Sequence, residues 1–228
     1  MQRAARSSSK PSRKKTPRQH LSQNALAYNK LKQLITTLAY KPGDSLNINE
    51  LMHDLSLGRT PINHALHRLS SEGLVHIIPR KGVMVTPLSI DNALEIVEVR
   101  IANEGLCARL AAAKITDAEL GQLDSLIEEF ENAVGRRDMG AAISIDRLFH
   151  EQIALASRNS VLSEFLKVIQ AQSQRFWATT LSSEEHLLEV FTEHRAIRDA
   201  LAVGDAAKAV AAVEEHVESF KRSLLQTR

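Results

Sequence analysis

Apolar residues in the first third of the chain recur at the spacing of an α-helix. Three quartets at positions i, i+3, i+4 and i+7 follow one another: Leu31/Leu34/Ile35/Leu38, Ile48/Leu51/Met52/Leu55 and Ile62/Ala65/Leu66/Leu69. Each is typical of an amphipathic helix with one face on a core. Pro42 and Gly43 indicate a turn after the first helix, and only residues 56–58 separate the second helix from the third. The spacing therefore predicts two helices joined by a very short turn.

Two short β-branched segments come next. Val75–Ile78 and Val83–Thr86 flank Pro79-Arg80-Lys81-Gly82, which predicts a β-hairpin with a basic tip. Helix, helix, short turn, helix and hairpin is the order of a winged helix-turn-helix.

From Ser89 onward the pattern is helical. Thr116 with Glu119 and Ser182 with Glu185 have the spacing of capping boxes. We predict six helices, at about 90–113, 117–134, 138–157, 160–180, 183–203 and 205–226. Short connections favour an antiparallel bundle. The predicted fold is therefore mostly α, with a disordered basic tail at 1–20, a winged helix-turn-helix at 21–88 and an all-helical domain at 89–228.

Charge divides the chain in the same way. Residues 1–86 contain 14 Lys and Arg against 4 Asp and Glu, whereas residues 87–228 contain 15 against 23. The basic part suits a polyanion such as double-stranded DNA. The first twenty residues contain seven Lys and Arg and no acid; an organelle transit peptide is an alternative to a disordered tail. We find no apolar run long enough to span a bilayer. The single cysteine fits a reducing compartment. We therefore expect a cytoplasmic protein without a membrane partner.

The third helix has a polar face that suits the DNA major groove. With Ile62, Leu66 and Leu69 on the core, six residues face outward: Arg59, Thr60, Asn63, His64, His67 and Arg68. Arginine can bind guanine and asparagine can bind adenine through two hydrogen bonds each. Arg80, Lys81 and Gly82 of the hairpin tip suit backbone phosphates or the minor groove. A solvated helix alone can have such a face, but the short turn and the basic hairpin favour DNA binding.

Polar residues interrupt the apolar faces of the bundle helices. His194 and His216 lie within apolar stripes, and Asp146 and His150 share one face four residues apart. Burying these four groups is costly unless their hydrogen-bonding capacity is satisfied. A divalent transition metal, with zinc first and nickel or another ion as alternatives, would satisfy all four together. The alternative is that each histidine is a hydrogen-bonded core residue.

The N-terminal part resembles the GntR family of bacterial transcription regulators. The resemblance rests on "KPGDSLNINELMHDLSLGRTPINHALHRLSSEGLV" followed by "PRKGVMVT". Two departures stand out. Gly58 replaces a small hydroxyl residue, so a cap or phosphate contact is missing, and Asn63-His64 replaces an Arg-Glu pair. Because residue 63 faces the groove, the family's preferred operator is not assumed for this chain.

Residues 90–226 resemble the FCD domain of the FadR subfamily, in its six-helix VanR-type branch. The motifs are "RIANEGLCARLAA", "DRLFHEQIALASRNSVL", "EHRAIRDALAVGDAAKA" and "EEHV". The resemblance implies that Asp146, His150, His194 and His216 hold a metal beside which a small organic or sugar acid binds. It also makes Arg100 the best carboxylate anchor, with Gln172 and Arg175 as weaker candidates for the pocket wall. A surface ion pair with Glu104 at i, i+4 is the alternative for Arg100.

The sequence thus predicts a metal-containing, effector-responsive transcription regulator. We expect a repressor that binds an inverted-repeat operator as a homodimer, with the effector changing the population of DNA-binding geometries. A metal-dependent hydrolase using the three histidines and the aspartate is the alternative from another class. A third possibility is an ion that only stabilises the bundle.

Overall fold

The computed structural model of the chain describes residues 22–180 and 184–226, with only the backbone of residues 180 and 184–186. From residue 22 onward, the described part of its N-terminal unit contains three helices and three strands. These are α1 (Gln23–Thr36), β1 (Ser45–Leu46), α2 (Ile48–Leu55), α3 (Arg59–Ser71), β2 (Val75–Ile78) and β3 (Gly82–Val85). The predicted tail at 1–20 lies outside the described residues.

The short turn between α2 and α3 has a physical cause at each of its three residues. Ser56 ends α2 in the left-handed conformation, with φ of 53°, which reverses the chain. Leu57 is buried and anchors the turn to the core. Gly58 caps α3 without a side-chain hydrogen bond, as its identity predicts. The turn therefore fixes α3 across α2, which is the predicted helix-turn-helix.

The hairpin extends into a three-stranded antiparallel sheet with the order β1-β3-β2. Val75 pairs with Val85 and Ile78 with Gly82, so β3 begins one residue before its predicted start. Arg80 and Gly82 take φ values of 64° and 113° at the tip. The two-residue strand β1 was not predicted, because so short a segment has no detectable alternation.

Within residues 90–180 and 184–226 the structure describes six helices, which form the C-terminal bundle, and their number is as predicted. They are α4 (Ile90–Ala112), α5 (Asp117–Gly135), α6 (Met139–Ala156), α7 (Ser160–Thr180), α8 (Glu184–Ala202) and α9 (Ala206–Gln226). The capping box of Thr116 and Glu119 is present at the start of α5. Ser182, of the second predicted box, lies outside the described residues.

Helix α4 lies in the middle of the bundle and packs against α6, α7, α8 and α9. One apolar cluster of the bundle contains Phe149, Ile153 and Ile197, and a second contains Phe130, Trp177 and Phe220. Burial of these side chains is the main stabilising term for such a fold. None of the described helices is long and apolar enough to span a membrane.

Helix α7 also contacts the N-terminal unit. Its Ala171 is fully buried within the apolar core formed by Leu31, Ile62 and Leu66. The interface adds polar contacts, since Lys32 donates to the carbonyl of Lys167 at 3.4 Å and Gln172 donates to that of Glu72 at 2.8 Å.

Candidate DNA-binding surface and candidate metal centre

The predicted recognition face of α3 is open to solvent at most of its positions. Thr60, His64 and His67 are exposed and Asn63 is partly exposed, on the side of α3 opposite its buried residues. Arg59 is exposed at the start of the helix, where its Nη2 donates to Oδ1 of Asn49 at 2.7 Å. That bond ties the first turn of α3 to α2 and holds the guanidinium near the N-terminal residues of the helix.

Arg68 is exposed, as predicted for this face, but its guanidinium also has partners within the protein. Its guanidinium lies 3.6 Å from the centre of the Tyr28 ring, and its Nε donates to Oε1 of Glu72 at 3.1 Å. It lines a cleft between the N-terminal unit and helices α6 and α7. The Arg68 side chain is nevertheless 59% exposed, so its contact with DNA stays a prediction beside these intramolecular contacts.

Glu72 is the centre of the network that holds Arg68. The Tyr28 hydroxyl donates to both carboxylate oxygens, at 2.8 and 2.9 Å, and Lys32 pairs with Oε2 at 3.0 Å. Burial and the neighbouring Glu72 carboxylate raise the pKa of Tyr28. The end of α3 is therefore fixed on α1 by ionic hydrogen bonds that the sequence pattern did not reveal.

The hairpin tip has the predicted exposure. Arg80, Lys81 and Gly82 are all exposed, at the end of the sheet. Two basic side chains on a projecting hairpin suit phosphate oxygens, which position a protein on DNA without reading its sequence.

Four predicted metal ligands meet inside the bundle. Asp146 and His150 come from α6, His194 from α8 and His216 from α9. Each offers one ligand atom, and the four atoms lie within 4.8 Å of one another. All three imidazoles are at least nine-tenths buried. The apolar stripes that carry His194 and His216 turn them inward, as predicted.

Three of the distances between ligand atoms in this cluster are close to those expected around one ion. Nε2 of His216 is 3.2 Å from Nε2 of His150, and Oδ1 of Asp146 is 3.3 Å from Nε2 of His194 and 3.7 Å from Nε2 of His150. Ligands at about 2.1 Å from a tetrahedral ion lie about 3.4 Å apart. Nε2 of His194 is buried without a well-aligned hydrogen bond. An inward, unsatisfied nitrogen among such neighbours is the arrangement that a cation would complete.

Two glutamates orient the histidines from behind. Oε2 of Glu193 lies 2.8 Å from Nδ1 of His216, and Oε2 of Glu104 lies 3.4 Å from Nδ1 of His150. A carboxylate at Nδ1 favours a proton there and leaves Nε2 free to bind an ion. Phe149 stacks on the His194 ring with 4.1 Å between ring centres. These orienting residues were not predicted, although Glu193 directly precedes His194.

The electrostatics favour the protonation states that ligands need. Burial lowers the pKa of His150 to about 4 and lowers that of His194. Burial opposes ionisation of Asp146, but the nearby rings of His194 and His150 hold its pKa well below the ordinary range. These shifts favour the neutral imidazole at His150 and His194 and the charged carboxylate at Asp146, and both forms bind metals.

A cavity adjoins the cluster, and Arg100 lines it together with His150, Ser173 and His216. Nε of Arg100 donates to Oε1 of Glu104 at 2.7 Å, and its Nη1 donates to Ser173 at 2.9 Å. The pair with Glu104 thus exists, but both side chains are buried, so the surface-pair alternative is wrong. Arg100 therefore lines the cavity and has the buried carboxylate of Glu104 as its counter-ion.

Gln172 and Arg175 do not line this cavity. Gln172 donates to the Glu72 carbonyl, and an Nη of Arg175 donates to the carbonyl of Thr86. Both residues lie on the side of α7 that faces the N-terminal unit. Their assignment to the pocket wall is corrected for that reason.

Comparison with known proteins gives the same architecture. Residues 23–85 match the model of the bacterial regulatory proteins of the gntR family, and residues 95–219, more than half of the chain, match the FCD domain. The chain belongs to the GntR family. It is therefore a DNA-binding transcription regulator with an FCD effector domain.

Individual relatives carry regulatory names. The Nta operon transcriptional regulator of Aminobacter aminovorans is 32% identical over 157 residues, which are 65% of this chain and 72% of that protein. The transcriptional repressor RspR of Escherichia coli is 23% identical over 90% of both chains. The solved structure of E. coli McbR/YncC has a TM-score of 0.84 at 24% identity, covers 91% of this chain and 99% of its own, and supports the fold. Because these relatives are regulators, the hydrolase alternative is not supported.

Proposed function

We propose that this GntR-family regulator holds one divalent transition metal, with zinc as the first choice, through Asp146, His150, His194 and His216. The observation that carries the proposal is the convergence of their four ligand atoms within 4.8 Å. Three nitrogens and one carboxylate oxygen suit zinc or nickel rather than calcium or magnesium, which prefer oxygen ligands. The orienting carboxylates of Glu104 and Glu193 support the same assignment.

Metal analysis of the purified protein tests this assignment. The chain is made without added metal and without a histidine tag, and is compared with Asp146→Ala/His150→Ala. The matched control is His53→Ala/Asp54→Ala, because that exposed pair on α2 has its ring nitrogen and carboxylate oxygen 3.1 Å apart. We expect about one ion per chain in the parent and the control and none in the site variant. Absence of metal from all three would refute the site.

We further propose that the effector is a small organic or sugar acid that binds in the cavity beside the ion. The bound ion would supply positive charge, and Arg100 would hold the carboxylate through two hydrogen bonds. Binding of the acid then requires Arg100 to share or release Glu104, which it holds at 2.7 Å. Because a ligand shifts an equilibrium only by its different affinities for two states, this exchange would supply the difference.

Calorimetry with a panel of small carboxylates tests the effector class. We expect the metal-loaded chain to bind one of these acids, and Arg100→Lys, which keeps the charge but loses the planar fork, to bind it more weakly. If chelation lowers the melting temperature but leaves the affinity for the acid unchanged, the ion is a structural element of the bundle. If no acid binds the loaded protein, the effector belongs to another chemical class.

On DNA, we propose that the chain acts as a homodimeric repressor on an inverted repeat in the bacterial cytoplasm. The similarity to RspR, which is named a repressor, supports repression, and two-fold pairing would place two copies of α3 on successive half-sites. Asn63 would favour adenine at the position it contacts. Selection of sites from a random duplex pool by the parent and by Asn63→Arg tests this assignment. An unchanged base preference would refute it.

A further inference from the structure

Helix α7 is divided between two tasks along its length. Gln170, Ser173 and Gln174 line the cavity beside the histidine cluster. Gln172 and Arg175 lie on the other side of the same helix and bond to the N-terminal unit. Both faces of this segment are packed, so any rotation or translation of α7 at the cavity also moves the contacts with the DNA-binding unit.

Gln172 bonds to the C-terminal end of the recognition helix. Its Nε2 donates at 2.8 Å to the carbonyl of Glu72, the residue that ends α3. The next residue, Gly73, has φ of +75°, and a Cβ there would lie 3.0 Å from the Gln172 amide nitrogen. Glycine thus provides both the left-handed turn after α3 and the room for Gln172 to reach that turn.

Arg175 bonds to the C-terminal end of the wing. Its side chain is 2% exposed and donates to the carbonyl of Thr86, directly after β3. Its Nε lacks a hydrogen-bond partner, and Arg175 has no acidic partner in any ion pair found for the described residues. Burial lowers the pKa of the guanidinium to about 10. Burying a cation whose partner is a neutral carbonyl costs desolvation free energy that no counter-ion offsets, so fold stability alone does not explain this residue.

The two carbonyls belong to one structural unit. The amide of Thr86 donates to the carbonyl of Leu74 at 3.1 Å, which joins the end of the wing to the residue after Gly73. Gln172 and Arg175, less than one helical turn apart, therefore bond to the recognition helix and the wing where these meet. Ser173, between them in sequence, accepts from Arg100 on the cavity side.

We propose that Gln172 and Arg175 are positioning residues for DNA binding, which fix the orientation of the recognition helix and the wing on the effector domain. They touch no DNA themselves. This inference rests on the DNA-binding function of the family and does not depend on the metal or on the effector.

Two substitutions remove the contacts, the first with no change of shape and the second with a shorter side chain. Gln172→Glu places a carboxylate instead of an amide donor against the Glu72 carbonyl. Arg175→Met removes the donor and the charge but keeps an extended side chain. The matched control is Gln152→Glu on α6, because that amide contacts Gln122 within the bundle and lies away from the DNA-binding unit.

The first measurement is the distance between the two units in the full chain. Spin labels are attached at His76→Cys on β2 and Val203→Cys after α8, both exposed positions, while the native Cys107 is buried. We expect a narrow distance distribution in the parent and the control, and a broader or shifted one in Gln172→Glu and Arg175→Met.

The second measurement is affinity for a duplex selected from a random pool by the full chain. Affinity falls in proportion to the population of the competent orientation, so about tenfold weaker binding follows if one molecule in ten keeps it. We expect Arg175→Met to lose this affinity while its melting temperature stays the same or rises. Unchanged distance distributions in both variants overturn the proposal. So does weaker DNA binding without a change in distance, and so does a lower melting temperature as the sole effect.

Discussion

Glu193 offers the sharpest test of how the candidate metal centre is built. Its Oε2 lies 2.8 Å from Nδ1 of His216, whereas Glu104 lies 3.4 Å from His150 and also binds Arg100. Glu193 is therefore the tighter and less shared of the two orienting carboxylates. We expect Glu193→Leu to weaken zinc binding, because the His216 ring would lose the acceptor that directs its Nε2 toward the ion.

The size of the effect follows from the role of such partners. Loss of a carboxylate behind a metal-bound histidine costs about 10- to 100-fold in metal affinity, or about 1.4–2.7 kcal/mol. Glu193→Gln keeps a carbonyl oxygen that can accept from Nδ1, so its loss should fall at the lower end of that range. The difference between the two variants separates ring orientation from charge.

Competition with a chromophoric zinc chelator at neutral pH measures these affinities. Glu215→Gln is the matched control, because Glu215 is adjacent to His216 in sequence but exposed and paired with Arg222 at 2.7 Å. An equal loss in Glu215→Gln would assign the effect to net charge. Parent-like zinc affinity in Glu193→Leu would refute the orienting role itself.

Four further predictions concern stability, and urea or thermal unfolding checks each of them. Gly73→Ala forces a Cβ into φ of +75° and should destabilise the fold by about 1–2 kcal/mol, and an unchanged urea midpoint would count against it. Gly121→Ala, in α5 with open space around the new Cβ, should instead stabilise it by about 0.5–1 kcal/mol, and a lower urea midpoint would contradict the open space around that position. Thr116→Ala removes the capping box and should cost about 1 kcal/mol, whereas Thr116→Ser should keep most of it. The metal-free chain should lose stability as pH falls from 6.5 to about 4, since burial lowers the pKa of His150 and the unfolded chain then binds more protons; an equal slope in His150→Gln would rule out His150 as its source.

The helices and the convergence of the four candidate ligands could be predicted because both depend on local spacing. Periodicity placed the six bundle helices within one or two residues of their observed ends. Asp146 and His150 share a face because they are four residues apart, and the apolar neighbours of His194 and His216 turn those rings inward. Spacing along one helix shows which side chains face the core. When several helices of a bundle share that core, this is enough to predict that their inward polar residues meet.

The partners of the buried polar groups could not be predicted in this way. Arg68 has the spacing of the recognition face, yet Tyr28 and Glu72, from α1 and the end of α3, draw its guanidinium to the other side. Glu193 is not one of the apolar residues of α8, so the helical spacing does not single it out. Its contact with His216 depends on α9 packing beside α8. The contacts of Arg68 with Tyr28 and of Glu193 with His216 join residues distant in sequence, and no periodicity records them. The Arg68–Glu72 pair, at i, i+4, is the exception, because its spacing is visible in the sequence.

The neighbours of helix α7 were the hardest to predict from the spacing of its residues. An amphipathic helix reveals its inner face through the contrast with a solvated face, but α7 is packed on both sides between Gln170 and Trp177. The spacing does not show which neighbour contacts the partly buried Gln172 and the buried Arg175, and their assignment to the pocket wall was wrong. A polar residue on such a helix bonds to whichever unit packs there. In this regulator the opposite side of the helix faces the cavity, and the two polar residues wrongly assigned to the pocket wall add to the contacts of Ala171 and Lys167 that join its two halves.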